Sequence, residues 1–128
     1  MDPYAALVTY LDGLNLVASV HVELPHDEKL RALPCINLVS AGPAQRQMTM
    51  QSLGLDIQDI DVDIYVDESM WVRGDAHRIA NLVRAKLSLF RVGRMHVTEV
   101  TRPEKLPDRN PSIRRLGMTV SVLIPAHR

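Results

Sequence analysis

The sequence predicts an α+β fold, a mainly antiparallel sheet of about five strands packed by two helices. Three observations carry this expectation. Residues 3–13 and 73–91 have helical spacing, several other segments alternate apolar and polar residues, and prolines and glycines punctuate the chain between them. At 128 residues the chain is one domain, long enough to bury a core without disulfides or metals.

Pro3 suits the first turn of a helix, with Asp2 as its N-cap. Ala6, Leu7, Tyr10 and Leu11 follow at helical spacing, and Gly13 is a stop. "LVASVHVEL" (16–24) alternates and is closed by Pro25, which predicts a strand. "LPCINLVSA" (33–41) reads as a second strand, with Pro34 at its start, where no ladder hydrogen bond is needed. Residues 42–55 have turn residues at both ends and no clear period, so a projecting loop is expected there.

"DIQDIDVDIYVDES" (56–69) puts Ile60, Val62, Ile64 and Val66 on one parity and Asp59, Asp61, Asp63, Tyr65 and Asp67 on the other. That is the period of a strand with one buried and one wet face. Over 73–91, Ala76, Ile79, Ala80, Val83, Leu87 and Phe90 form one stripe, while Arg78, Asn81, Ser88 and Arg91 face away. Asp75 near the start, and Arg91 with Gly93 near the end, suit the dipole and cap of that helix. Segments 94–101 and 115–124 read as two more strands, joined by a second projecting loop over 102–114 with three prolines.

Composition narrows the function. Fifteen basic residues balance fifteen acidic ones, so no global field calls for nucleic acid or a membrane. The start "MDPYAALVTYLDGLNL" has no cationic region and does not read as a signal peptide. No apolar run approaches the roughly 18 residues of a membrane span. The single cysteine, Cys35, excludes an intrachain disulfide framework and hints at a reducing compartment. A soluble cytosolic domain is expected.

The acidic stretch invites a metal, but the companions are missing. With Asp59, Asp61 and Asp63 as positions 1, 3 and 5 of a calcium loop, Gly and Glu are needed where Ile64 and Met70 stand. A strand also aims the carboxylates in parallel at about 6.6–6.8 Å spacing instead of around one ion. A two-metal nuclease would need a helping Lys or His nearby, and none stands there. His21-Val22-Glu23 followed by Pro34-Cys35 partly matches a zinc-deaminase signature, but its second cysteine is Leu38 here. His21 and Cys35 therefore read as strand residues, and His77 as an exposed or interfacial one. No nucleophile elbow or phosphate loop is present, so no catalytic residue and no cofactor is expected.

Arginines concentrate toward the C-terminal third, from Arg91 to Arg115, without aromatic residues to stack bases. A ring of copies could match that basic surface to the acidic strand face of the next subunit. Met48, Met50 and Leu53 are adaptable apolar contacts that suit either a partner or the protein's own core.

The layout resembles that of the tail-terminator (minor tail, head-to-tail neck) proteins of long-tailed bacteriophages and related prophages. The features that carry the resemblance are the short N-terminal helix and "LPCINLVSAG", then "DIDVDIYVDES" leading into "GDAHRIANLVRAKL". The loop "RPEKLPDRNPSIRR" and the last strand "LGMTVSVLIP" complete it. The resemblance implies a virion protein of the tail or neck, assembled in the host cytoplasm without enzymatic activity. Such a protein forms a homo-hexameric ring that caps the tail tube and stops its polymerisation. It contacts the major tail tube protein and a head-side connector or stopper protein, and genomic DNA passes through its lumen without specific binding. On this chain, Asp59, Asp61 and Asp63 would line the lumen or meet a neighbour. Arg46, Met48, Met50 and Leu53 in one loop, and Arg102, Lys105, Arg109 and Arg114 in the other, would contact tube, connector or neighbour. Two other readings stay open, a different head-tail adaptor of the neck and a small metal-dependent nucleic-acid enzyme.

Overall fold

The computed structural model describes residues 2–23, 32–42, 45–47, 55–107 and 112–125. Helix α1, Pro3–Gly13, begins where the Asp2 carboxylate accepts a hydrogen bond from the Tyr4 amide at 2.9 Å. Leu7 and Leu11 are its buried residues. Strands β1 (Ser19–Val22), β2 (Cys35–Ser40), β3 (Gln45–Gln47) and β4 (Leu55–Asp67) follow. Helices α2 (Glu68–Val72) and α3 (Asp75–Leu87) come next, then β5 (Arg91–Val92), β6 (Met95–Val100), β7 (Glu104–Leu106) and β8 (Ile113–Pro125). The architecture is α+β.

The sheet is larger and more mixed than expected. It has eight strands in the order β1-β2-β4-β8-β6-β5, with β3 paired to β4 and β7 paired to β8. β1 runs parallel to β2, while every other pair is antiparallel. The extra strands have a simple cause. β4 and β8 pair along thirteen residues, from Leu55↔Pro125 to Asp67↔Ile113. β2 covers only Ile60–Tyr65 of the far edge of β4, and β3 covers Leu55–Ile57 of that same edge. β6 and β7 share the far edge of β8 in the same way. Short strands satisfy backbone groups that would otherwise stay unpaired. The expected loops therefore shrink: 42–55 contains β3, and 102–114 contains β7 and the start of β8.

The helix expected over 73–91 is shorter, α3 spanning Asp75–Leu87, and a separate short helix, α2, precedes it. α2 starts at Asp67, whose carboxylate accepts from the Met70 amide at 2.8 Å. Gly74 then turns the chain with φ 84°, a conformation that favours glycine, before α3 begins. Ala76, Ile79, Ala80, Val83 and Leu87 are buried as the stripe predicts, and Phe90 is buried just beyond the helix. Gly93 does not cap the helix. It occupies, at φ 60°, the first position of the two-residue turn joining β5 to β6.

The core lies between the three helices and one face of the sheet. Ile60, Val62, Ile64 and Val66 of β4, and Leu116, Met118, Val120 and Val122 of β8, meet Leu7, Leu11 and the α3 stripe there. The Tyr10 ring packs edge-on to Phe90 at 5.2 Å, and its hydroxyl donates to the Lys86 carbonyl at 2.7 Å. That carbonyl, in the last turn of α3, also accepts from the Leu89 amide at 3.0 Å, so the hydroxyl adds a second bond that ties α1 to the end of α3. No helix among the described residues is long and apolar enough to cross a membrane.

Candidate functional site

Parity places the acidic row on the sheet face turned away from the helices. "RRLGMTVSV" on β8 alternates too, so Arg115, Gly117, Thr119 and Ser121 share that face. The register sets Asp59 opposite Ser121, Asp61 opposite Thr119 and Asp63 opposite Gly117. The Ser121 hydroxyl donates to Asp59 Oδ1 at 2.7 Å, and the Thr119 hydroxyl donates to Asp61 Oδ1 at 2.7 Å. These donors are neutral. They fix the direction of each carboxylate and leave its charge in place.

The third rung differs. Asp63 is only 6% exposed, which corrects the expectation of a uniformly wet row. Its carboxylate meets the Arg115 guanidinium at 3.4 Å, with Asn37 on the β2 side of the register. Burial of a charge requires such a partner. Arg115 lies over the Tyr65 ring at 5.8 Å and donates from Nη2 to the Pro107 carbonyl at 2.7 Å. Its Nε is buried and has no hydrogen-bond partner. Gly117 makes room for this arrangement, since a side chain there would meet Leu106 and crowd Asp63 Oδ1 at 3.1 Å.

A cleft of about 730 Å³ opens over the Asp61 and Asp63 rungs, and Glu23, Arg102 and Glu104 contribute to its walls. Asp61, Asp63 and Arg102 are thus brought together. The other candidates are not. Lys105 and Arg114 lie on the helix side around α2, with Lys105 Nζ 5.6 Å from the Trp71 ring centre and Arg114 3.7 Å from Glu68. Arg114 belongs to β8 and not to a loop. Arg46 is a β3 residue paired with Asp56, and Met48, Met50, Leu53 and Arg109 fall outside the described residues.

Chemically the site is a row of fixed negative charge with one internally compensated pair. Among the described residues no group of three His, Cys, Asp or Glu side chains is arranged to hold a metal ion. His21 is hydrogen-bonded to Ser19 at 2.8 Å, Cys35 is buried, and the His77 ring lies 5.0 Å from Trp71. Arg115, Gly117, Thr119 and Ser121 were the missed members of the site. Their signal was present in the matching period-2 pattern of the last strand, which pairs polar with acidic once the two strands are aligned.

No family model and no curated protein matches the chain. Among solved structures, the fold is similar to that of a chain in the virion of a native gene transfer agent particle, with a TM-score of 0.58 and 14% identity. The match covers 97% of this chain and 86% of that one.

Proposed function

We propose that this protein is a non-enzymatic virion component that acts as a tail terminator. In this reading six copies form a ring that caps the tail tube, halts its growth and presents a docking surface to the head-side connector. The reading rests on the likeness of fold, along nearly the whole chain, to a chain of a gene transfer agent virion. The carboxylate row fits it. DNA carries one charge per about 1.7 Å and would adhere to a basic channel wall, whereas fixed negative charge lets a duplex pass.

The test is to purify the protein and determine its mass by native mass spectrometry and its shape by electron microscopy. A closed sixfold ring that stops growth of tube protein in vitro is the expected result. A chain that stays monomeric at all concentrations overturns the reading. A ring that ignores the tube protein and binds only the portal side makes it a neck adaptor instead.

A further inference from the structure

Helix α3 carries two apolar stripes. One, from Ala76 to Leu87, is turned to the sheet and lies in the core. The other is Leu82, Ala85 and Leu89, spaced three and four residues apart on the side turned away from it. All three are exposed, Leu82 at 39% and Leu89 at 71%. Leu89 lies just past the helix, where its amide donates to the Lys86 carbonyl at 3.0 Å and continues the winding. Val92 of β5 is exposed three residues further on. Three of the five large apolar side chains exposed among the described residues therefore fall between 82 and 92.

Positive charge flanks the outer stripe. Arg84, Lys86, Arg91 and Arg94 are exposed around it. Among the described residues Lys86, Arg91 and Arg94 enter no ion pair. Two carboxylates stand against these four cations. Asp12 is brought to the α3–β5 end by α1, whose Tyr10 packs on Phe90 and bonds the Lys86 carbonyl. Glu99 lines the groove between α3 and β6. Arg78, one turn before Leu82, is already tied to Asp75. A positive excess remains beside an apolar seam.

The spacing decides what fits there. Leu82, Ala85 and Leu89 take the three-and-four repeat of a coiled-coil seam, the pattern that receives another helix. Ala85, at the rim of a groove of about 430 Å³ between α3 and β6, leaves room for the close approach of a second helix. A strand is the poorer occupant. On the neighbouring edge of β6, the Val97 N–H already donates to the Phe90 carbonyl at 3.3 Å, and the Val100 carbonyl accepts from Arg84 at 3.5 Å. The register of β6 also shifts between Val97 and Glu99, an irregularity that blunts a strand edge. DNA fits less well too, because exposed leucines gain nothing against phosphates and Asp12 and Glu99 repel them.

We infer that the outer face of α3 is a docking site for an amphipathic helix of a different protein, one with apolar residues at heptad spacing and acidic residues on their flanks. The apolar residues of that helix pack on Leu82, Ala85 and Leu89, and its carboxylates meet Lys86, Arg91 and Arg94. Burial of the leucines supplies the affinity, while the charges steer the approach and reject basic helices. The inference goes beyond the ring reading and does not depend on it, since the occupant is not a copy of this chain.

The test uses the full chain and a labelled three-heptad peptide, with Leu at a and d and Glu at e and g, its binding read by fluorescence anisotropy. The same peptide with Lys at e and g should bind at least about tenfold more weakly. Leu82→Gln with Leu89→Gln should weaken binding of the acidic peptide at least about tenfold. Leu89→Gln alone, at the more exposed position, should give part of that loss with the parent's thermal midpoint. Lys86→Glu with Arg91→Glu should exchange the preference, so that the basic peptide binds better than the acidic one. No binding of the acidic peptide, equal binding of the two peptides, or parent-like binding by the leucine variants overturns the inference. A mixed-sequence DNA duplex that displaces the peptide overturns it too, in favour of a nucleic-acid surface. So does loss of self-association in the leucine variants by sedimentation velocity, which makes the occupant a second copy. Rings that form unchanged in those variants agree with it, and a parent chain that forms no ring removes the tail-terminator reading without touching this one.

Discussion

β4 carries two rows of side chains that share a backbone and differ in the physics that holds them. Ile60, Val62, Ile64 and Val66 are fully buried beneath the helices and need only shape and the exclusion of water. Asp59, Asp61 and Asp63 on the opposite row each need a specific donor from β8. The apolar row needs partners of suitable volume, whereas the acidic row needs Gly117 beside Asp63. Sliding β8 by two residues would keep an apolar face but put a side chain where Gly117 now leaves room.

The largest loss of stability is expected on the apolar side. Ala80→Asp places an unpaired charge among fully buried neighbours and should cost about 3–5 kcal/mol in chemical denaturation. A variant that unfolds at the parent's midpoint would show that the helix faces elsewhere. Next comes Arg115→Met, which leaves Asp63 buried without its guanidinium, at a cost of about 3 kcal/mol. Pairing it with Asp63→Leu should recover part of that loss, because the uncompensated charge then goes too. Thr119→Val removes one hydroxyl from Asp61 at nearly constant shape and should cost about 1 kcal/mol. An equal cost in an Asp61→Asn background would mean that the bond to the charge is not what matters.

The smallest effect concerns pH. The Met70 amide and Ser69 hydroxyl hold the Asp67 carboxyl below its ordinary value of 3.8, and Arg73 and Arg78 do the same for Asp75. Both native values lie below the unfolded ones. Their stabilisation is therefore present above about pH 3.8 and is lost as pH falls through the lower native values. Asp67→Ala should flatten the loss of thermal stability in that acid window and change little of the slope above it.

What could be read from the sequence was local. α1 has its expected bounds because Asp2 and Pro3 act within one turn of their own positions. The two β4 rows were readable because period 2 is written along one strand. α2 was not, since Asp67 serves both as the last strand residue and as the cap of a helix of five residues. β3 and β7 are three residues each and pair along edges that β2 and β6 leave open on β4 and β8. The parallel β1–β2 pair depends on chain direction in space, which no short window records. The burial of Asp63 depends on Arg115, fifty-two residues away, and on Leu106 beside Gly117. A row of alternating aspartates cannot reveal which of them will be covered.

The long central pair also governs the order of events during folding. Leu55 waits for Pro125, Asp67 for Ile113, and Tyr10 for the Lys86 carbonyl. Helix α1 can flicker into shape as soon as it is made, but the sheet has no centre until the last strand arrives. Such distant pairings are slow to find. While β8 is still missing, the edge of β4 that it pairs with is open along thirteen residues. A growing chain of this protein carries that open edge, a template for aggregation, until β8 has been made.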